Sequence, residues 1–308
     1  MASSKLSRRE FLRRAAQVGS GAVLGRTLLD APGEAQEPAT KVVIVTCDEV
    51  MSDERSVNMD ALRRMMERGI TELAGKRDVK AAWQTFIRPS DQVALVDSGT
   101  WLLNVPQVVV EAARGIHLAS PQGMKLTYCA LDERHPQWLQ AVREGLRRAT
   151  LPPEIMDGTV YTIPARFHTQ PFTLIVMTPT LKSHTIAGVS GVVKHYATMS
   201  KVHVQNYHPN AMETAGAALA NEFRHVRHLI IVDALRFGYT TKGPQFYQKS
   251  LIFGTDPVAT DVVALEVFLR NCRTYGDIPP DRHRILADTR YKAGISDRRR
   301  IEVKEVKV

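Results

Sequence analysis

Between Leu181 and Tyr196 the chain reads LKSHTIAGVSGVVKHY. Lys182 and His184 precede a small, apolar stretch spaced by Gly188 and Gly191, and Lys194 and His195 follow it. A lysine ammonium binds negative charge, and an imidazole donates a proton, accepts one or ligates a metal. Glycine inside a helix costs about 1 kcal/mol relative to alanine, so close approach of a ligand or of another element should compensate for it. If residues 185–196 begin a helix, its free N–H groups and Lys182 suit a phosphate, sulfate or carboxylate. Lys194 would then lie roughly 15 Å along the axis. Both Lys/His pairs reach one small ligand only if the glycines break the helix into a loop. Otherwise Lys194 and His195 are cations at a helix C-terminus, where they are favoured anyway.

Other candidates lie further along. Asp233 follows the apolar run LIIV and is the candidate general base or metal-ligating carboxylate. Asp256 and Asp261 stand in GTDPVATD. Asp256 with Pro257 also reads as a helix N-cap followed by proline at the first helical position. Asp261, one turn further on, faces either the sheet or the site. Six of the ten histidines fall between residues 184 and 228, and His203 and His208 of VHVQNYHPN could offer two metal ligands from one loop. No His-Glu-x-x-His spacing accompanies them, so a divalent metal stays open as a cofactor and its identity unknown. Gly188-Val189-Ser190-Gly191 lacks the spacing of a nucleophile elbow.

The elements that must position these residues follow from periodicity. KVVIVTC (41–47), QVALVDS (92–98), KLTYCAL (125–131), FTLIVMTP (172–179), HLIIVDALR (228–236) and QKSLIFGTD (248–256) read as strands. Residues 56–75, 78–87, 105–119, 135–149, 210–223 and 257–272 carry helical patterns, the first ending at Gly75. Alternating strands and helices predict an α/β fold: a mostly parallel, doubly wound sheet with helices on both faces. Residues 151–171 read as an irregular connection with room for a short strand and a sub-boundary. FGYTTKGP reads as a loop, and SDRRRIEVKEVKV as a solvated edge strand or terminus. In such a sheet ligands sit beyond the carboxyl ends of the strands. Three strands, ending before Lys182, at Asp233 and at Gly254-Asp256, are therefore expected to bring these residues to one rim.

Composition sets the outer limits. The chain has 308 residues, 44% hydrophobic and 24% charged, which is ordinary globular usage. No apolar run approaches the ~20 residues of a bilayer span, so no stable membrane span is expected. The net charge is +9, of which three belong to residues 1–35. Aromatics are only 6% and no basic stripe interleaves with them, which argues against nucleic acid as a partner. Cys47, Cys129 and Cys272 are far apart, so no iron–sulfur or zinc motif is present. Ser7-Arg8-Arg9-Glu10-Phe11-Leu12, a weakly apolar segment and the small-x-small Gly33-Glu34-Ala35 read as a twin-arginine signal peptide over residues 1–35. The expectation is export to the periplasm through the twin-arginine translocase, with residues 36–308 as a single α/β domain.

Three ordered blocks, TPTLKSHTIAGVSGVVKHY, LIIVDALRFGYTTKGP and FGTDPVATDVVALE, resemble the signature blocks of the domain-of-unknown-function 362 family. Carried over residue by residue, the resemblance implies importance for Lys182, His184, Lys194, Asp233, Gly243, Pro244, Gly254, Asp256, Pro257 and Asp261. Ser183 stands where the family usually has threonine, and His195 where it has asparagine. The family's Lys-x-Asn after the second strand is replaced by Val96, Asp97 and Ser98. Many relatives carry an appended ferredoxin-like cysteine cluster, which this chain lacks. The combined expectation is an enzyme acting on a small anionic or metal-bound ligand. In it Lys182 binds charge, His184 is acid/base or ligand, and Asp233 is the carboxylate partner. Lys194, His195, Gly188, Gly191, Asp256 and Asp261 surround the ligand. The alternative is a non-catalytic periplasmic binding or maturation protein using the same rim.

Overall fold

A computed structural model describes residues 40–53, 56–97, 105–120, 124–129, 136–151, 154–156, 168, 171–184, 187–201, 211–239, 243–271 and 283–308. The expected signal peptide, residues 1–35, lies outside the described residues. The strands are β1 (Thr40–Thr46), β2 (Gln92–Asp97), β3 (Lys125–Cys129), β4 (Glu154–Met156), β5 (Leu174–Thr178), β6 (Thr180–His184), β7 (Gly188–Ser190), β8 (Arg227–Tyr239), β9 (Gly243–Phe246), β10 (Ser250–Gly254) and β11 (Ile301–Lys307). The helices are α1 (Met59–Ala74), α2 (Val79–Phe86), α3 (Pro106–Ala119), α4 (Pro136–Arg148), α5 (Val193–Met199), α6 (Ala211–Asn221), α7 (Pro257–Asn271) and α8 (His283–Thr289). Among the described residues, none of these helices is long and apolar enough to cross a membrane.

Local chemistry sets the element ends. The Asn58 side chain accepts the N–H groups of Asp60 and Ala61 at the start of α1, and Gly75 closes it at φ 63°. Asp78 caps α2 through Ala81 N–H. The β-branched runs become strands whose alternate side chains go to opposite faces, each buried Val, Leu or Ile contributing about 1.5–3 kcal/mol. Val43, Val45, Leu95, Val176 and Ile231 pack beneath α1–α4. Val42, Ile44, Val96, Met177 and Val232 pack beneath α5–α7. The result is a three-layer α/β/α body, as the alternation predicts.

The main sheet runs β11-β1-β10-β8-β5-β2-β3-β4. Every neighbouring pair in it is parallel except the two that β10 makes, with β1 and with β8. β11 is the edge, and its alternating charges suit a solvated edge strand.

Two features differ from the sequence reading. Residues 185–196 do not form one helix. β6 and β7 pair antiparallel, Lys182 opposite Ser190, and α5 starts only at Val193. β8 continues past Asp233 to Tyr239 and pairs with β9, so residues 237–239 and 243–244 of the expected loop are paired strand. β6 follows β5 after Pro179 and stays beside β8, with two steps from Thr180 to Lys182 opposing five from Asp233 to Gly238. The sheet thus extends beyond its own carboxyl edge, carrying Lys182 with it.

Candidate functional site

The glycine spacing has a structural cause. Gly188 opens β7 at φ 72°, a left-handed conformation that disfavours a side chain, and so makes the β6–β7 reversal. The His184 ring assists: its Nδ1 accepts Ala187 N–H at 3.2 Å, which fixes the proton on Nε2. Gly191 answers to a close approach. A Cβ there would stand 1.9 Å from Oδ1 of Asp261. That carboxylate accepts Val192 N–H at 2.6 Å and Val193 N–H at 2.9 Å, capping the start of α5.

Asp261 is fully buried on α7, with Arg284 Nε of α8 at 3.1 Å and His283 Nε2 at 3.7 Å. Burial alone would raise its pKa. Arg284, then His283 and the Val192 N–H, outweigh that and hold the carboxyl well below its ordinary range. Arg284 also donates from Nη2 to the Val189 carbonyl at 3.3 Å. One ion pair therefore locks hairpin, α5 and α7 together.

This lock positions a basic cluster. His195 is buried, and its Nδ1–H donates to the Gly191 carbonyl at 2.6 Å, leaving Nε2 as the lone-pair nitrogen. Burial, then the charges of Lys182 and Lys194, push its pKa down to about 3. His195 is thus neutral at physiological pH and within electrostatic reach of both lysines. Lys182 is 2% exposed and Lys194 partly buried. Burial lowers the Lys194 pKa to about 8, near a useful range for proton transfer. Of the candidate residues, Lys182, Lys194 and His195 lie within electrostatic reach of one another's charge, with the β6–β7 reversal at Gly188 between them.

Asp233 is placed elsewhere. It alternates with Leu229, Ile231 and Leu235, whose side chains pack beneath α1–α4, whereas α5 packs on the other face. Its Oδ2 accepts Val105 N–H at 2.6 Å, just before α3, and its Oδ1 accepts Leu235 N–H at 3.0 Å. Burial raises its pKa to about 6. The expected Lys182/His184/Asp233 grouping is thus corrected: Asp233 anchors the entry of α3. Asp256 requires a second correction. Because β10 runs antiparallel, Gly254 pairs with Ile230 and Ser250 with Ala234, so Gly254 and Asp256 lie at the opposite end of the sheet from the rim. Asp256 caps α7 through Val258 and Ala259 N–H and binds Ile295 N–H. A Cβ on Gly254 would meet Thr260 Oγ1 at 2.1 Å, so this glycine too is there for packing.

Sequence reasoning missed three groups. Asp97 ends β2 opposite Thr178 and accepts the Tyr128 hydroxyl of the neighbouring strand. Both are buried at the rim, and the signal was a carboxylate closing an apolar run. Arg284 and His283, partners of Asp261, carried no local signal. His203 and His208 lie outside the described residues. Among the described residues no group of three or more His, Cys, Asp or Glu stands arranged to hold a metal ion.

No curated protein matches the chain. Among solved structures it is similar to TrmN from Thermus thermophilus, with 12% identity over 57% of this chain and 48% of that one, at a TM-score of 0.28. It is also similar to a SAM-dependent methyltransferase from Agrobacterium tumefaciens, with 13% identity over 58% and 59%, at a TM-score of 0.28. The matched part spans about half to three fifths of those two proteins. Residues 136–266 match the family described as Domain of unknown function (DUF362), a range holding the hairpin, the basic cluster and Asp261. Over that segment, less than half of the chain, it is similar to the domain of unknown function 362 family.

Proposed function

We propose that this chain is an exported enzyme acting on a small anionic ligand at the carboxyl rim of the sheet. The observation that supports the reading is that Lys182 and Lys194 both act electrostatically on neutral His195, on a segment that Asp261 fastens in place. Two lysines beside a lone-pair imidazole favour an anion over a cation, since a metal ion at His195 would meet both ammonium groups. Lys182 supplies fixed positive charge. Lys194, whose proton is held loosely, is the acid/base group. His184, protonated at Nε2, is a further donor.

The test is calorimetric titration of the full chain with inorganic phosphate, sulfate and acetate. Saturable binding of one of them, weakened about ten-fold or more by Lys182→Met and by Lys194→Met, is expected for charge-assisted hydrogen bonds. No saturable binding, or binding indifferent to both substitutions, rejects the site. Binding without turnover of the corresponding esters keeps the site and replaces the enzyme by the non-catalytic binding or maturation protein. Export rests on Arg8 and Arg9. Changing both to Lys should leave the chain in the cytoplasmic fraction of its host, and unaltered fractionation would remove the twin-arginine route.

A further inference from the structure

The amino end of the sheet, opposite the rim, holds a cavity separate from the basic cluster. It encloses about 570 Å³, within the range of small-molecule sites. Its walls are the exit of α6, the starts of β1 and β8, the turn from β10 into α7 and the chain after α8.

The uncompensated charge in it is of one sign. Arg224 and Lys292 line it and are exposed, and neither side chain makes an ion pair or hydrogen bond with a described residue. Asp256 is the carboxylate in the lining. It spends Oδ1 on Val258 and Ala259 N–H and Oδ2 on Ile295 N–H, and burial raises its pKa. Glu222, two residues before Arg224, is 2.9 Å from His168 Nε2 and accepts Lys201 N–H at 2.9 Å. His228 is neutral, since burial pushes its pKa down to about 4. A concave site with charge of one sign focuses its field on a counter-ion.

The backbone at Lys292 adds an independent observation. Lys292 follows α8 at φ 54°, with its N–H donating to the Asp288 carbonyl at 3.0 Å. Gly75 closes α1 at φ 63°, and glycine is the residue that adopts this left-handed conformation without steric cost. Among the described residues Lys249 is the other lysine held this way, and its ammonium donates to the Asp48 carbonyl at 2.7 Å. Lys292 makes no such contact and instead lines the cavity.

We propose that this cavity binds a small organic carboxylate. The Arg224 guanidinium takes the carboxylate through its planar fork, and Lys292 adds the second positive charge. A carboxylate is favoured over a phosphate because the α7 N–H groups of Val258 and Ala259, which would cradle a tetrahedral anion, already belong to Asp256. The apolar body packs against Val226, Tyr291 and Ile295, which are only half-buried and so present surface to it.

Benzoate and benzamide share a body and differ in charge, and acetate keeps the charge without the body. Titrated into the full chain by calorimetry, benzoate should bind saturably, and benzamide and acetate about ten-fold more weakly or less. Arg224→Gln should weaken benzoate about ten-fold or more, as expected for a charge-assisted hydrogen bond. Lys292→Gly should weaken it likewise while leaving the unfolding temperature unchanged or higher, because glycine suits that φ. Lys182→Met should leave benzoate affinity unchanged, which separates this cavity from the basic cluster. Absence of saturable benzoate binding, equal affinity for benzamide or acetate, benzoate affinity indifferent to either Arg224→Gln or Lys292→Gly, or loss of it in Lys182→Met would overturn the assignment.

Discussion

Replacing Gly191 with alanine tests the lock beneath the basic cluster most directly. The new methyl would sit 1.9 Å from Oδ1 and 3.1 Å from Cγ of Asp261, so the carboxylate must move. Moving it breaks the bonds to Val192 and Val193 N–H. Hydrogen bonds to a charged group contribute about 1.5–3 kcal/mol each, so Gly191→Ala should cost roughly 3–5 kcal/mol. Asp261→Ala should cost a similar amount, because it strips the partner from buried Arg284. The two costs should not add. With Asp261 already alanine nothing collides with the methyl, so Gly191→Ala should then cost about 1 kcal/mol or less, a coupling of at least ~2 kcal/mol. Asp261→Asn keeps the bulk, and in that background the glycine should still matter. Urea unfolding of the unsubstituted chain, the two single variants and the double variant, read at unchanged m, measures the cycle. Additivity within about 0.5 kcal/mol would refute the contact and, with it, the account of why the chain has glycine there.

Three further outcomes follow from the same geometry. Asp233 holds its proton to about pH 6 when folded, against the ordinary 3.8 when unfolded. The stability this gives is complete below pH 3.8 and is lost as pH rises through 6, by roughly 2–3 kcal/mol. Asp233→Asn should flatten that part of the stability–pH curve, and an unchanged slope would reject the burial argument. Lys194, half neutral near pH 8, should acylate with an apparent pKa well below that of surface lysines, and saturating phosphate should raise it. If labelling of Lys194 titrates near 10.5, the loosely held proton is lost from the mechanism. Asp256→Ala removes the α7 cap and the Ile295 tie, costing about 1–2 kcal/mol in urea unfolding, yet should leave phosphate affinity unchanged because it acts at the far end of the sheet.

The fold was legible because its signals are local. The runs at 41–47, 92–98 and 172–179 read as strands whatever their partners, and Gly75 and Asp256-Pro257 punctuate their helices by chemistry carried in a few residues. Direction and face were not legible. SLIFG reads the same in either sense, and only its pairing with Ile230–Ala234 reveals that β10 runs backwards and carries Asp256 away from the rim. Asp233 looked like a strand-end carboxylate because β8 was read as ending there. Its six further residues turn that end into a mid-strand position whose parity selects the α3 side.

The same comparison separates site from scaffold within the family blocks. GTDPVATD is the sharpest motif, and each of its two carboxylates spends both oxygens on backbone N–H groups. A carboxylate so used has little capacity left for a ligand, and its effect on function passes through what it holds. Asp261 holds the start of α5 across a sequence distance of 69 residues, and Lys194 and His195 are the first side chains beyond that cap. Sequence proximity to Lys182 therefore mattered less than the glycine that admits Asp261. Any substitution that shifts Asp261 should disturb anion binding through Lys194, while substitutions confined to Asp256 should register only in stability.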